Sequence, residues 1–167
     1  MSKSKIVGIM ALMAFITGIF LAADGGAGEK FIGRTVKHLL KWEQINVGDE
    51  EGHVIVLFEG KGISTDLQGK SYTDGWVEHE EGLFDMNNKT GAGSCQGYSE
   101  FASKEGEKIY IKWKCGPTNV ANGTWTFFKG TGKYEGIRGG GTWAPGPPSS
   151  DPGYFSSHWE GEAELPR

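Results

Sequence analysis

Asn122 to Trp143 reads NGTWTFFKGTGKYEGIRGGGTW, and the fold turns on how these residues are taken. Two strand-like pieces, each containing Gly-Thr-Trp, flank the crossing GTGKYEGIRGG. Trp125 and Phe127 alternate with Thr124 and Thr126, the period of a half-buried strand. Glycine accepts positive φ without a Cβ penalty, so the glycines of the crossing mark where the backbone turns. The stretch predicts the corner of a tightly curved antiparallel sheet. It holds no cysteine, histidine or aspartate, and so offers little chemistry of its own.

Working outward, the same alternation recurs on both sides, and no amphipathic helix of useful length follows the N-terminal leader. Val36, His38, Leu40 and Trp42 fall on one side of a first strand, predicted to be the inner one, with Lys37 and Lys41 on the other. His53 to Lys61, HVIVLFEGK, is almost continuously β-branched and aromatic, which predicts a central strand covered on both faces. Gly82 interrupts Trp76 to Met86, as a bulge or a bend would. Near the end, Trp159, Gly161, Ala163 and Leu165 share an apolar inner face opposite His158, Glu160, Glu162 and Glu164.

The segment from Cys95 to Cys115 can be aligned residue by residue. A loop of Lys104, Glu105 and Gly106 at its tip, with Gly106 in the left-handed bulge position, sets Ser103 opposite Glu107. Phe101 then faces Ile109, Ser99 faces Ile111, the small Gly97 faces the large Trp113, and Cys95 lands opposite Cys115. Directly opposed cysteines on neighbouring strands reach bonding distance, and two cysteines in an exported chain favour a disulfide. Two buried free thiols are the other reading. No histidine is near either cysteine in sequence to make it a nucleophile.

About eight strands in mostly antiparallel order close into a barrel whose interior is either just filled or holds one small ligand. The expected fold is therefore all-β, a single closed antiparallel barrel of about eight strands preceded by an N-terminal signal segment. Glycine supplies 28 of 167 residues beside six tryptophans and nine phenylalanines, which suits bent strands around an aromatic interior. The loop Ala144 to Gly153, APGPPSSDPG, carries four prolines that prevent ladder pairing, and forms either a rim at one end of the barrel or a long surface loop.

Lys3 and Lys5 precede the apolar run Ile6 to Ala23, followed by small residues, the pattern of an export signal cleaved after Ala23 or Ala27. A retained anchor is the alternative, because about 18 apolar residues reach the lower limit for spanning a bilayer. The division is residues 1–27 as signal peptide and 28–167 as the barrel domain, with a periplasmic or secreted destination. With cleavage after Ala23, Lys3 and Lys5 are gone from the 17 basic residues and 15 face 21 acidic ones, a net charge of −6. That balance lacks the clustered positive patch of a nucleic-acid surface and offers no polybasic anchor for a membrane.

The run Gly130 to Thr142, with the strand GTWTFFKG (123–130) leading into it, resembles the barrel motif of the allene oxide cyclase and dirigent-like superfamily. The resemblance is strongest to its small exported bacterial members. The Gly97-Tyr98 to Trp113 hairpin and the turn from Asn46-Val47-Gly48-Asp49 to His53 match the same pattern, so that the similarity spans most of the mature chain. It implies an eight-stranded calycin-like barrel with a hydrophobic cavity. Plant allene oxide cyclases cyclise a fatty-acid epoxide inside such a barrel, and dirigent proteins steer phenoxy-radical coupling. The matched glycines are structural positions, and the catalytic residues, if any, stay open.

Candidate chemistry is sparse. The histidines are His38, His53, His79 and His158, none in a zinc-ligand spacing, so no metal is expected. His38, read as inward, would orient a ligand, act as a base or serve as a hydrogen-bonded structural imidazole. Glu78 and Glu80 share the face of Trp76, which makes one of them a candidate interior acid, whereas Glu160, Glu162 and Glu164 form a solvated stripe. No nucleophile elbow, phosphate loop or dinucleotide fingerprint is present, and no cofactor is expected. The expected ligand-binding set is His38, Trp42, Trp113, Trp125, Phe127 and Trp159, since aromatic pockets with few polar groups suit apolar ligands. The leading expectation is an exported barrel that binds a small hydrophobic or aromatic molecule without catalysis. The alternatives are a cyclase or isomerase that moulds a reactive lipid or polyketide-like substrate, and an envelope protein with a filled core. The ligand's identity and the oligomeric state stay open.

Overall fold

A computed structural model describes residues 28–69, 71–116 and 118–166. The expected signal segment and its cleavage points at Ala23 and Ala27 lie outside the described residues. Eight strands follow one another: β1 (Glu29–Asn46), β2 (His53–Asp66), β3 (Val77–Asn87), β4 (Gly93–Ala102), β5 (Lys108–Cys115), β6 (Gly123–Gly130), β7 (Arg138–Pro145) and β8 (Tyr154–Glu164). Each pairs antiparallel with the next, and β8 pairs with β1, closing the sheet on itself. Full closure leaves no sheet edge to aggregate.

The glycine-rich crossing is a corner, as expected. Thr131 closes the end of β6 by exchanging hydrogen bonds with Lys108: its N–H donates to the Lys108 carbonyl at 2.9 Å, and its Oγ1 accepts from the Lys108 N–H at 2.8 Å. A single 3₁₀ turn, Gly132–Tyr134, follows, with Gly132 at φ 59° and Gly136 at φ 80°. Only glycine adopts these angles without strain. Between them the buried Tyr134 and the adjoining Ile137 fold over the barrel end, where Tyr134 meets the edges of Trp76 and Tyr72 at 5.3 and 6.1 Å. The β4–β5 hairpin has the expected register, with Gly97 opposite Trp113, Ser99 opposite Ile111 and Phe101 opposite Ile109. Gly106 sits at φ 88° in its tip.

The first strand departs from expectation. Thr35 and Lys37 point inward and are buried, while Val36 and Leu40 are half-exposed on the outside. Apolar alternation misreads this strand because its interior places are held by Gly33, Thr35 and a lysine neutralised inside the barrel. Gly33 is there because the Trp159 ring fills the space: a Cβ on Gly33 would sit 2.0 Å from that ring. The register shifts between Leu39 and Lys41, so the bulged Leu40 resets the phase. Trp42 is thereby set opposite Phe58, and it packs on Phe84 at 6.5 Å near the rim.

Two further expectations are corrected. β2 is covered on one face only: Val54, Val56 and Phe58 are buried, whereas Leu57 and Ile63 are exposed on a barrel wall with no second layer. Gly82 makes no bulge. It pairs regularly with Phe58 and Gly97, and its missing side chain leaves room for the rings of Phe58 and Trp113.

At the far end of the long β1–β2 hairpin, His53 bridges two carboxylates. Its Nδ1 lies 2.6 Å from Asp49 and its Nε2 2.7 Å from Asp85 on β3. The hydrogen bonds to Asp85 and Asp49 raise the His53 pKa above 6.5. The bridge is therefore complete below about pH 6.5, the unfolded value, and is lost as pH rises through the higher folded value. An NMR titration should show the imidazole deprotonating late, with amide exchange at the hairpin tip quickening in the same interval. In His53→Gln that pH dependence should vanish.

Candidate functional site

The barrel encloses a cavity of about 270 Å³. That is close to the lower end of small-molecule pockets, roughly 300–1,000 Å³. Alternation along the strands sends aromatic rings into it: Phe31 from β1, Phe58 from β2, Trp113 from β5, Trp125 and Phe127 from β6, Trp159 from β8. The rings brace one another, with Phe31 against Trp125 at 5.8 Å and Trp159 at 5.5 Å, and Phe127 edge-on to Trp125 at 5.0 Å. Hydrogen bonds fix two indoles, since Trp125 Nε1 donates to the Thr142 carbonyl at 3.1 Å and Trp159 Nε1 to Thr35 Oγ1 at 3.3 Å.

Towards one end the lining includes Tyr72, backed by Tyr134, and the other end is rimmed by the proline-rich loop. Pro145, Gly146, Pro147, Pro148 and Ser149 all line the cavity. The loop is pinned at both ends, where the Gly146 N–H donates to the Ser156 carbonyl and the Leu39 N–H to the Gly153 carbonyl, each at 2.7 Å. Of its two readings, rim and surface loop, the rim is the one observed.

A charged cluster stands among these rings. Lys37 Nζ lies 2.6 Å from Glu80 Oε2, 3.3 Å from Glu78 Oε1 and 3.1 Å from Ser157 Oγ. The Phe155 ring lies 5.3 Å from the same ammonium. Lys37 and Glu78 are only 2% and 3% exposed, so water compensates neither charge. Burial alone would lower the Lys37 pKa. The charges of Glu78 and Glu80 and their hydrogen bonds outweigh it and hold the ammonium above its usual 10.5. For Glu80 burial dominates, with the like charge of Glu78 acting in the same sense, and its pKa is raised above 4.5 despite Lys37. The cavity thus holds a firmly protonated lysine beside a carboxyl that keeps its proton unusually well.

Four of the expected site residues, Trp113, Trp125, Phe127 and Trp159, line the cavity together. Trp42 does not line it, but reaches its edge through Phe84, which does. His38 is misplaced by the sequence reading: it is exposed, and its ring packs on Tyr154 at 4.9 Å outside the barrel. Lys37 went unseen because a lone lysine between Val36 and His38 looks like a solvated face. Glu78 and Glu80 both turn inward, where one was expected. The signal that pairs them is their spacing of two residues on a strand, which puts both carboxylates on one face.

Fold and site together define a closed antiparallel barrel with an aromatic, internally charged cavity. Among the solved structures similar to this chain are two at TM-score 0.49 and 9% identity. The pterocarpan synthase dirigent protein GePTS1 is matched over 81% of this chain and 88% of its own. For the pterocarpan synthase dirigent protein PsPTS1 the shares are 83% and 97%. No family model and no curated protein matches the sequence.

Proposed function

We propose that this chain is an exported barrel that takes a small, mainly apolar, ring-bearing molecule into its interior and holds it without transforming it. The observation that supports this reading is the cavity of about 270 Å³, walled by aromatic rings and rimmed by a pinned proline-rich loop. Tryptophan and phenylalanine faces bury flat apolar ligands well and offer them few competing polar groups. Native mass spectrometry of protein purified from its own host should reveal a co-purifying small molecule. Tryptophan fluorescence should also respond to members of a panel of lipids and phenolics. Repeated purification with nothing bound, and no response across the panel, would remove the reading.

A second reading, a cyclase or isomerase using the same cavity as a mould, is favoured by one observation. Glu78 and Glu80 both face the interior beside Lys37, and burial with the like charge of Glu78 raises the Glu80 pKa above 4.5, the direction that suits a proton donor. On that reading, Glu80→Gln would abolish turnover of a bound substrate while leaving its uptake intact. Pure binding predicts no chemical change in the recovered ligand.

An oxidised Cys95–Cys115 staple belongs with export. Both thiols are buried and free in this structure, and the two cysteines sit 2.5 Å apart. Burial, then the neighbouring Cys115 thiol, pushes the Cys95 pKa up, so it is a poor nucleophile. Intact mass of the exported form, alkylated before and after reduction, should show no thiol until reductant is added. Closing a loop of about 20 residues should stabilise the fold by roughly 3 kcal/mol in urea melts. Two alkylatable thiols in the exported protein would refute the staple.

A further inference from the structure

Three buried polar atoms on the cavity wall have no hydrogen-bond partner among the described residues: Glu78 Oε2, Ser99 Oγ and Trp113 Nε1. Their residues are 3%, 1% and 6% exposed, so bulk water does not serve them. Buried polar groups are normally satisfied, and an orphan costs about 1–3 kcal/mol, more if charged. Strand register sets the three in sequence along one wall. Ser99 faces Glu80 across β3 and β4, Glu78 is the next inward residue on β3, and the Trp113 ring lies over Gly82 and Gly97 on the other side. The polar wall therefore reads, in order, carboxylate oxygen, hydroxyl, indole N–H. The wall carrying Phe31, Trp125 and Trp159 is aromatic, and its two indole N–H groups are already bonded within the protein.

We propose that this wall selects the ligand by polarity: a neutral, flat, ring-bearing molecule with a hydrogen-bond donor at one end, given to Glu78 Oε2, and an acceptor farther along, facing Trp113 Nε1. This rests on the binding function proposed above and names the class of molecule that the cavity takes. A carboxylate oxygen only accepts and an indole N–H only donates, which fixes the direction of both bonds. Ser99 Oγ, which does either, stands between them. Charged ligands suit the cavity poorly, because burial strips their hydration and Lys37 is already paired with Glu78 and Glu80. A site built around such orphans discriminates sharply, since a molecule lacking the matching group leaves them unpaired.

The test uses four probes of one shape: naphthalene, 2-methoxynaphthalene, 2-naphthol and 6-methoxy-2-naphthol. Their binding to the mature protein is followed by quenching of tryptophan fluorescence and by ligand-induced shifts in thermal unfolding. Apolar partitioning alone ranks naphthalene above 2-naphthol. The expected order is the reverse, with the hydroxyl strengthening binding roughly ten- to a hundredfold, the range for a hydrogen bond to a charged group. Glu78→Gln should shrink that gain, and Trp113→Phe should remove the smaller advantage of the methoxy oxygen. Where Glu78→Gln fails to fold, the naphthol-to-naphthalene ratio in the unmodified protein and the response of Ser99→Ala decide. Equal binding of all four probes, or a gain from the hydroxyl that survives every substitution, overturns this inference and leaves ligand binding standing. No binding of any probe, together with nothing co-purifying from the host, overturns both.

Discussion

Replacing Lys37 by methionine is expected to cost about 3–5 kcal/mol of folding stability at neutral pH, the usual effect of leaving a buried ion pair half-complete. Methionine matches the lysine stem in length but carries no charge, so Glu78 and Glu80 would face each other in a site almost without water. The loss should be pH-dependent in a defined sense. In the variant Glu80, raised by burial and by the like charge of Glu78, loses the opposing effect of Lys37, so the folded state binds more protons and stability rises as pH falls through the range above its unfolded value. In the unmodified protein, the raised pKa of Lys37 contributes stability that is fully present below 10.5 and lost as pH rises through the folded value. The raised Glu80 adds stability below 4.5 that is lost as pH climbs through its own folded value. Urea melts from acid to alkaline pH would trace both slopes. Replacing all three residues with Met, Leu and Met should recover most of the loss, because uncharged packing is often as stable as a buried ion pair. A Lys37→Met cost below about 1 kcal/mol, the range of an exposed pair, with no change in pH profile, would mean that the cluster is not held as described.

The same cluster explains what was legible in the sequence. Barrel closure, the glycine corner and the β4–β5 register follow from alternation and turn chemistry, which are local, and these elements lie where the residues 95–143 place them. The inward aromatics on β5, β6 and β8 are legible for the same reason. β1 was read in reverse phase because inward Lys37 is tolerable only beside Glu78 and Glu80, 41 and 43 positions away on β3, a pairing no local window contains. The same error of phase points His38 inward, whereas it is exposed outside the barrel. The bulge at Leu40 then returned Trp42 to the inner side, a reset with no glycine or proline to announce it. The orphaned atoms of Glu78, Ser99 and Trp113 were beyond reach too, since lack of a partner is a property of the assembled interior.

Gly97→Ala should be strongly destabilising, and the geometry around it says why. A Cβ there would lie 2.2 Å from Trp113 Cζ2 and 2.3 Å from the Glu81 carbonyl oxygen. The indole packs against Phe58 and Trp143, and the carbonyl belongs to a paired strand, so neither gives way cheaply. Overpacking usually costs about 1–3 kcal/mol, and a backbone contact places this case at the upper end or beyond. Gly116→Ala is the matched control: an added Cβ there meets nothing within 4 Å. It should change stability by no more than about 0.5 kcal/mol. Adding Trp113→Phe to Gly97→Ala should recover part of the loss by removing the ring edge, but not all of it, because the Glu81 carbonyl stays in place. The double-mutant cycle in urea separates the two contacts. Since the Trp113 ring is also cavity wall, Gly97→Ala should weaken binding of any ligand that still folds the variant. A Gly97→Ala protein as stable as Gly116→Ala would show that Trp113 is not seated over β3 and β4, and the polar wall built on that seating would fall with it.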